Sequence, residues 1–225
     1  MNKLLKILSL VYQTSFRTVY FNFKYLPFNQ AIYLPILISR NLYLNQTKGK
    51  IIIESPIRTG LIRIGYRGVG IFDHERSRSI WEVSGTVIFK GKAEIGHGAK
   101  ISVGQKGRLI LGGGFILTAE STIIAINKTV EFGNDCLLAW DILMMDTDFH
   151  NIYNEKNEVV NEPDDIKIGN HVWVGCRSVI LKGSDIPPNS IVAAGSLVNK
   201  RLEGENKLFG GQPAKELRNG VRWEQ

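Results

Sequence analysis

The chain has 225 residues, 44% of them hydrophobic, with 23 glycines, 7 prolines and a formal net charge of +7. That is long enough for a sizeable core and too apolar for a disordered chain. Two cysteines, Cys136 and Cys176, allow at most one disulfide, and neither stands in a CxxC pair or at zinc-finger spacing from a histidine; this excludes a disulfide scaffold and points to a reducing cytoplasm.

The first fifty residues differ from the rest. They carry Lys3, Lys6, Arg17, Lys24, Arg40, Lys48 and Lys50, no acid precedes Glu54, and residues 51–225 therefore balance to zero. They also hold nine of the 21 aromatic residues, all Tyr or Phe. The apolar run 7–16 contains Gln13 and Thr14, and the run 25–39 is broken by Pro27 and Pro35. Neither approaches the roughly 20 apolar residues of a membrane span, and no small-residue cleavage site follows the first. Residues 1–48 are expected as a helical, basic and aromatic extension. Two readings stay open: helices packed on the main domain or on a neighbouring subunit, and a peripheral contact of residues 1–45 with an anionic membrane surface. Nucleic acid is not expected, because tyrosines and aliphatics outnumber the cations.

From Ile51 the sequence turns strand-like, and "KIIIESPIRTGLIRIGYRGVGIF" alternates aliphatics with polar residues and glycines. Gly65, Gly68 and Gly70 read as turn glycines, since no helix pattern follows to complete a nucleotide loop. Aliphatic or aromatic positions then recur at six-residue steps: Ile95 and Ile101; Leu111, Leu117 and Ile123; Phe132, Leu138 and Met144. The phase slips between blocks, as small insertions at corners would make it do.

The rhythm is strictest from Asp165 to Lys200. Ile168, Val174, Ile180, Ile186, Val192 and Val198 are six apart, and Ser178, Ser184, Ser190 and Ser196 hold the fifth place of four hexads, with Val172 the exception. Helices need spacings of three and four and two-sided strands need two, so a period of six fits neither. A coil with three flat faces fits it. Each face is a short strand, each corner a turn, and one β-branched side chain per face points to the axis. Eighteen residues close one coil, and coils stack as parallel strands about 4.8 Å apart. Gly169, Gly175 and Gly183 fall at expected turns.

These hexads, with "VWVG" at 172–175, "AAGSLV" at 193–198 and "GGQPAKEL" at 210–217, resemble the hexapeptide-repeat acyltransferases over about residues 85–220, and most of all the sugar and polysaccharide O-acetyltransferases. The resemblance implies a mainly β fold, a left-handed parallel β-helix assembled as a homotrimer with sites between subunits, and acetyl-coenzyme A as co-substrate without a metal. The expected organisation is an extension over 1–48, the β-helix over 49–203, and a short C-terminal helix or tail over 204–225.

The period stops over residues 146–167, a polar, acidic excursion of the kind that carries function on rigid scaffolds. His150 opens it, and the resemblance places the catalytic histidine at such a departure. An imidazole titrating near neutrality can take the proton of a sugar hydroxyl as it attacks a thioester, then protonate the leaving thiolate. Asp146 or Asp148 is expected to orient the ring. For the coenzyme the resemblance points to Cys176 and Ala194, one coil apart, and to Asn199, Trp173 and Lys215, the last facing phosphates. Asn127 and Trp140 match an acceptor region loosely. Trp140 and Trp173 either wall the site or pack between subunits. His74, His97 and His171 are expected at exposed turns.

The β-helical carbonic anhydrases need three converging histidines, and His150 has none within twenty residues. An N-acetyltransferase of an amino sugar and a non-catalytic β-helix platform remain as alternatives. Polysaccharide units built on lipid carriers would give the extension a purpose, at the inner face of the cytoplasmic membrane.

Overall fold

The computed structural model describes residues 15–74 and 76–224, so most of the first apolar run, with Lys3 and Lys6, lies outside the described residues. Short parallel strands form three walls. Sheet A contains β1 (Ile36–Ile38), β4 (Ile62–Ile64), β7 (Ala93–Ile95), β10 (Phe115–Leu117), β13 (Leu137–Leu138), β16 (Trp173–Val174) and β19 (Ile191–Val192). Sheet B contains β2 (Leu42–Gln46), β5 (Ser79–Val83), β8 (Lys100–Val103), β11 (Thr122–Ala125), β14 (Leu143–Met145), β17 (Val179–Leu181) and β20 (Leu197–Val198). Sheet C contains β3 (Lys50–Ile53), β6 (Thr86–Phe89), β9 (Arg108–Leu111), β12 (Thr129–Phe132), β15 (Ile166–Ile168) and β18 (Asp185–Ile186). The chain visits the sheets in the order A, B, C in each of six coils, and the result is a left-handed parallel β-helix.

The hexad arithmetic appears directly in the register. Ile168 pairs with Ile186, Val174 with Val192 and Ile180 with Val198, each eighteen residues apart. All six are buried, at about 1.5–3 kcal/mol per side chain relative to exposure. Ser178, Ser184, Ser190 and Ser196 are buried with them, and their hydroxyls donate to corner carbonyls, as Ser178 does to Gly175 at 2.8 Å. A serine fits here because it is small and brings its own hydrogen bond into a place water cannot reach. Earlier coils are longer because residues are added at corners: Leu117 pairs with Leu138, and Ile64 with Ile95.

The spiral starts earlier than the boundary expected at 48/49. Strands β1 and β2 already pair in parallel, Ile36 with Ile62 and Leu42 with Ser79. What precedes them is a lid. Helix α1 (Phe16–Tyr25) ends at Leu26 ahead of Pro27, and a single turn, α2 (Phe28–Ala31), follows. From α1, Phe21 plugs the core and meets the Trp81 ring edge-on at 5.5 Å. Thr18 and Asn22 lie on the same face and are wholly buried. The Asn22 amide donates to Ile36 O at 2.7 Å and accepts from Ile36 N at 3.1 Å, while the Thr18 hydroxyl bridges the N–H and C=O of Ile38. Two polar side chains thus replace the strand that would otherwise add to β1, a protected edge.

At the other end no helix forms among the described residues. β21 (Lys207–Gly211) continues sheet A and turns back through an antiparallel hairpin into β22 (Ala214–Asn219). The last residues return along the spiral, where Trp223 stacks on His171 at 4.3 Å and donates its indole N–H to the His171 carbonyl.

Candidate active site

The excursion leaves sheet B after β14 and returns at β15. Its root is Asp146, wholly buried, whose carboxylate accepts the backbone N–H groups of Ile126 at 2.9 Å, Asn127 at 2.8 Å and Lys128 at 2.7 Å. Both oxygens accept at that corner, and this anchors the root of the loop. Asn127 shares this corner, its side chain exposed.

Asp148 is also engaged elsewhere. Its carboxylate accepts from Lys182 Nζ at 2.6 Å and from Asn161 Nδ2 at 2.8 Å. The hydrogen bond from Lys182, then that from Asn161, holds its carboxyl below the usual aspartate range. Asn161 donates as well to the His150 carbonyl at 2.8 Å, and the His150 N–H donates to Asp148 O at 2.8 Å. The backbone of His150 is therefore fixed on both sides, and its exposed ring takes no hydrogen bond among the described residues. Phe149 just before it is left-handed, with φ 63°, the kind of strained turn that scaffolds tolerate where a side chain must be aimed. Lys182 and Asn161 were not foreseen in the sequence, since their role depends on a meeting of distant segments. Beyond His150 the loop is a small hairpin, with Tyr153 bridged to Val159 and Phe149, Ile152, Tyr153 and Val160 more than half exposed.

A cleft of about 540 Å³ lies on the outer face of sheet B and ends at Phe149. Its floor runs from Gln46 on β2 through Ile80, Glu82 and Ser102 to Ile124 on β11.

The corner from sheet A to sheet B carries the small residues expected to face a coenzyme. Gly195 N donates to Cys176 O at 2.8 Å, so Cys176 and Ala194 occupy one register on adjacent coils. Gly175 lies beside them: a Cβ there would sit 2.5 Å from the Ala194 nitrogen, so the close stacking of coils demands a glycine. Trp140 stands in the same column one coil earlier, at the head of the coenzyme register and apart from Asn127. Asn199 follows β20 at the opposite edge of sheet B, exposed. Lys215 on β22 is exposed and lines a cavity of about 490 Å³ with Lys200, Arg201 and Glu216. Trp173, on the outer face of sheet A, packs 6.2 Å from the Trp223 ring of its own chain.

Of the other histidines, His74 is exposed at a turn as expected, while His97 and His171 are not. His97 is buried, its ring 4.0 Å from that of His74 and its Nδ1 3.6 Å from Glu120 Oε1. Burial, and then the His74 charge, lowers its pKa. His171 is half-buried under Trp223. Both cysteines are free thiols, and burial pushes the Cys136 thiol up to about 11. Among the described residues no three His, Cys, Asp or Glu side chains are placed to hold a metal ion. Also among them, no helix is long and apolar enough to cross a membrane.

No protein-family model matches the chain. It is 43% identical over 74 residues to a polysialic acid O-acetyltransferase of Neisseria meningitidis, 32% of each chain, and 32% identical over 110 residues to the galactoside O-acetyltransferase of Escherichia coli K12, 48% of this chain and 52% of that protein. The chain therefore spans about a third to a half of the curated relatives it matches. The crystal structure of the polysialic acid O-acetyltransferase OatWY superposes with a TM-score of 0.54 at 25% identity, covering 84% of this chain and 90% of that one.

Proposed function

We propose that this chain, whose fold and repeat are those of the hexapeptide-repeat acyltransferases, transfers an acetyl group from acetyl-coenzyme A to a hydroxyl of a sugar or of a cell-surface polysaccharide precursor. One observation carries the reading. His150 is held through its backbone by Asn161 and Asp148, immediately after the left-handed Phe149 at which the sheet B cleft ends, and its exposed ring is left unbonded. A structural histidine of this kind would be expected to use its ring as a strut; a general base needs the ring available. The names of the two relatives above, both sugar O-acetyltransferases, support the same class.

In the proposed reaction the imidazole takes the hydroxyl proton as the oxygen attacks the thioester carbonyl and the new C–O bond forms. The tetrahedral oxyanion is stabilised by backbone N–H donors, and it collapses with cleavage of the C–S bond. The imidazolium then returns the proton to the thiolate, releasing free coenzyme A. Asp148 and Lys182 act through Asn161 as positioning residues. The pantetheine arm lies against the Cys176–Ala194 corner, with Trp140 at its head, and Lys215 with Lys200 and Arg201 receives the phosphates. Asn199 adjoins Lys200 on that path, and Trp173, beside Trp223, lies farther from it. The acceptor occupies the cleft that ends at Phe149, near Asn127. The working assembly is a homotrimer in which a neighbouring copy covers Phe149, Ile152, Tyr153 and Val160 on the excursion, completing sites between subunits. The protein acts in the cytoplasm, at the inner face of the cell membrane.

Acetyl-coenzyme A incubated with galactosides or with polysaccharide fragments, followed by mass spectrometry, tests the acceptor class. One acetyl group added at a hydroxyl is expected. Acetylation confined to amino sugars, on nitrogen, would contradict the reading.

A further inference from the structure

Helix α1 is apolar on two faces, and the spiral uses only one. Phe21, Thr18 and Asn22 face inward. Phe16, Tyr20 and Phe23 project from the far side, and α2 with the residues after it adds Phe28, Ile32 and Tyr33. These six are 45–85% exposed, and the Phe23 and Phe28 rings meet at 5.9 Å, which joins the two parts into one surface. An apolar face of that extent on a protein surface marks a contact. Its charge says with what. Lys24 is exposed in the last turn of α1, and no Asp or Glu precedes Glu54 in the chain. Two copies meeting through this face would set lysine against lysine, whereas an anionic lipid surface complements it. Tyrosine and phenylalanine beside lysine are also the residues that settle at the boundary between headgroups and acyl chains.

We infer that the outward face of this lid rests on an anionic lipid bilayer. The surface is narrower than residues 1–45, because 36–46 are strands of the spiral. Since α1 covers the end of the coils, docking through it stands the spiral on the membrane. The catalytic loop leaves at β14, four strand spacings from β2, roughly 19 Å at about 4.8 Å each. The sheet B cleft occupies that interval, from Gln46 to Phe149. An acceptor glycan carried on a lipid would lie along it with its modified sugar well clear of the headgroup. This last consequence rests on the transferase reading; the docking does not.

The test is co-sedimentation of the full chain with vesicles of phosphatidylglycerol and phosphatidylcholine, or of phosphatidylcholine alone. The wild type is expected to pellet with the anionic vesicles only. Phe16→Ser/Phe28→Ser is expected to lower that partitioning about tenfold or more, and Lys24→Glu to lower it as well. All should keep the wild-type melting temperature and the wild-type turnover of acetyl-coenzyme A with a soluble galactoside. Wild-type protein remaining in the supernatant, or equal partitioning of the double variant, would overturn the inference. So would a mass that rises with protein concentration without lipid and is abolished by the double substitution, which would assign the face to a second copy. Vesicle binding is read without turnover, so failure of the docking and failure of the enzymatic reading are separate results.

Discussion

The carbonyl of Trp140 accepts a hydrogen bond at 3.0 Å from Arg177, the residue after Cys176, which sets Trp140 one coil from Cys176 in the same corner register. Ala194 continues the column on the next coil. An indole at one end of a ladder of small residues is a stop against which an extended thioester arm can lie. Filling the ladder should therefore block the coenzyme and leave the fold alone. Ala194→Trp projects from an exposed position, so its melting temperature should match wild type while KM for acetyl-coenzyme A rises about tenfold or more with little change in kcat. Steady-state kinetics beside a thermal melt reads both. An unchanged KM would remove the coenzyme from this corner.

Asp146 is expected to behave as a structural acid. Its buried carboxylate satisfies three amides, and Asp146→Asn turns one acceptor oxygen into a donor facing N–H groups. Hydrogen bonds to a charged group contribute about 1.5–3 kcal/mol each, so a loss of about 3 kcal/mol is expected in a denaturant titration. If stability held while activity vanished, Asp146 would belong to the chemistry after all.

Lys182 and Asp148 hold the loop, and the contact should show in protection of the loop. Lys182→Met is expected to speed chymotryptic cleavage at Phe149 and Tyr153 and to lower kcat/KM about tenfold, with the global melt nearly unchanged. The pH dependence has a definite sign. The folded pKa of Asp148 is lowered, so its contribution is complete above the 3.8 of a free aspartate and is lost as pH falls through the lowered value. Pepsin, active in that range, should begin to cut the loop only well below pH 3.8 in wild type. Cleavage already complete at higher pH would show that the contact does not hold the loop.

The parts legible in the sequence were the local ones. A six-residue period survives in the chain because every coil after Ile166 repeats the same three corners, and the loss of that period located the excursion and His150. The first coils were hidden because long connections after β3 (54–61) and β4 (65–78) break the six-residue step, and the aromatic, basic neighbours of β1 and β2 dominated the composition. Thr18 and Asn22 read as polar interruptions in an apolar segment; they are buried because a strand edge needed donors and acceptors, a requirement set by residues 36–38. Glycine was legible at corners, but for mixed reasons. Gly175 is required by close approach to Ala194, whereas Gly195 shares its left-handed register with Asp141 and Arg177, so that place does not require glycine. The partners of Asp146 and Asp148 were not legible because they come from segments distant in sequence, 126–128, Asn161 and Lys182.

The most direct measurement is thiol release from acetyl-coenzyme A with a sugar acceptor, wild type against His150→Ala, with circular dichroism to confirm that both fold. If the unbonded imidazole is the general base, turnover should fall roughly a hundred- to ten-thousand-fold while the melting temperature stays put, since the ring supports nothing. Turnover within about twofold of wild type would contradict the account, because no other described residue has been assigned the proton.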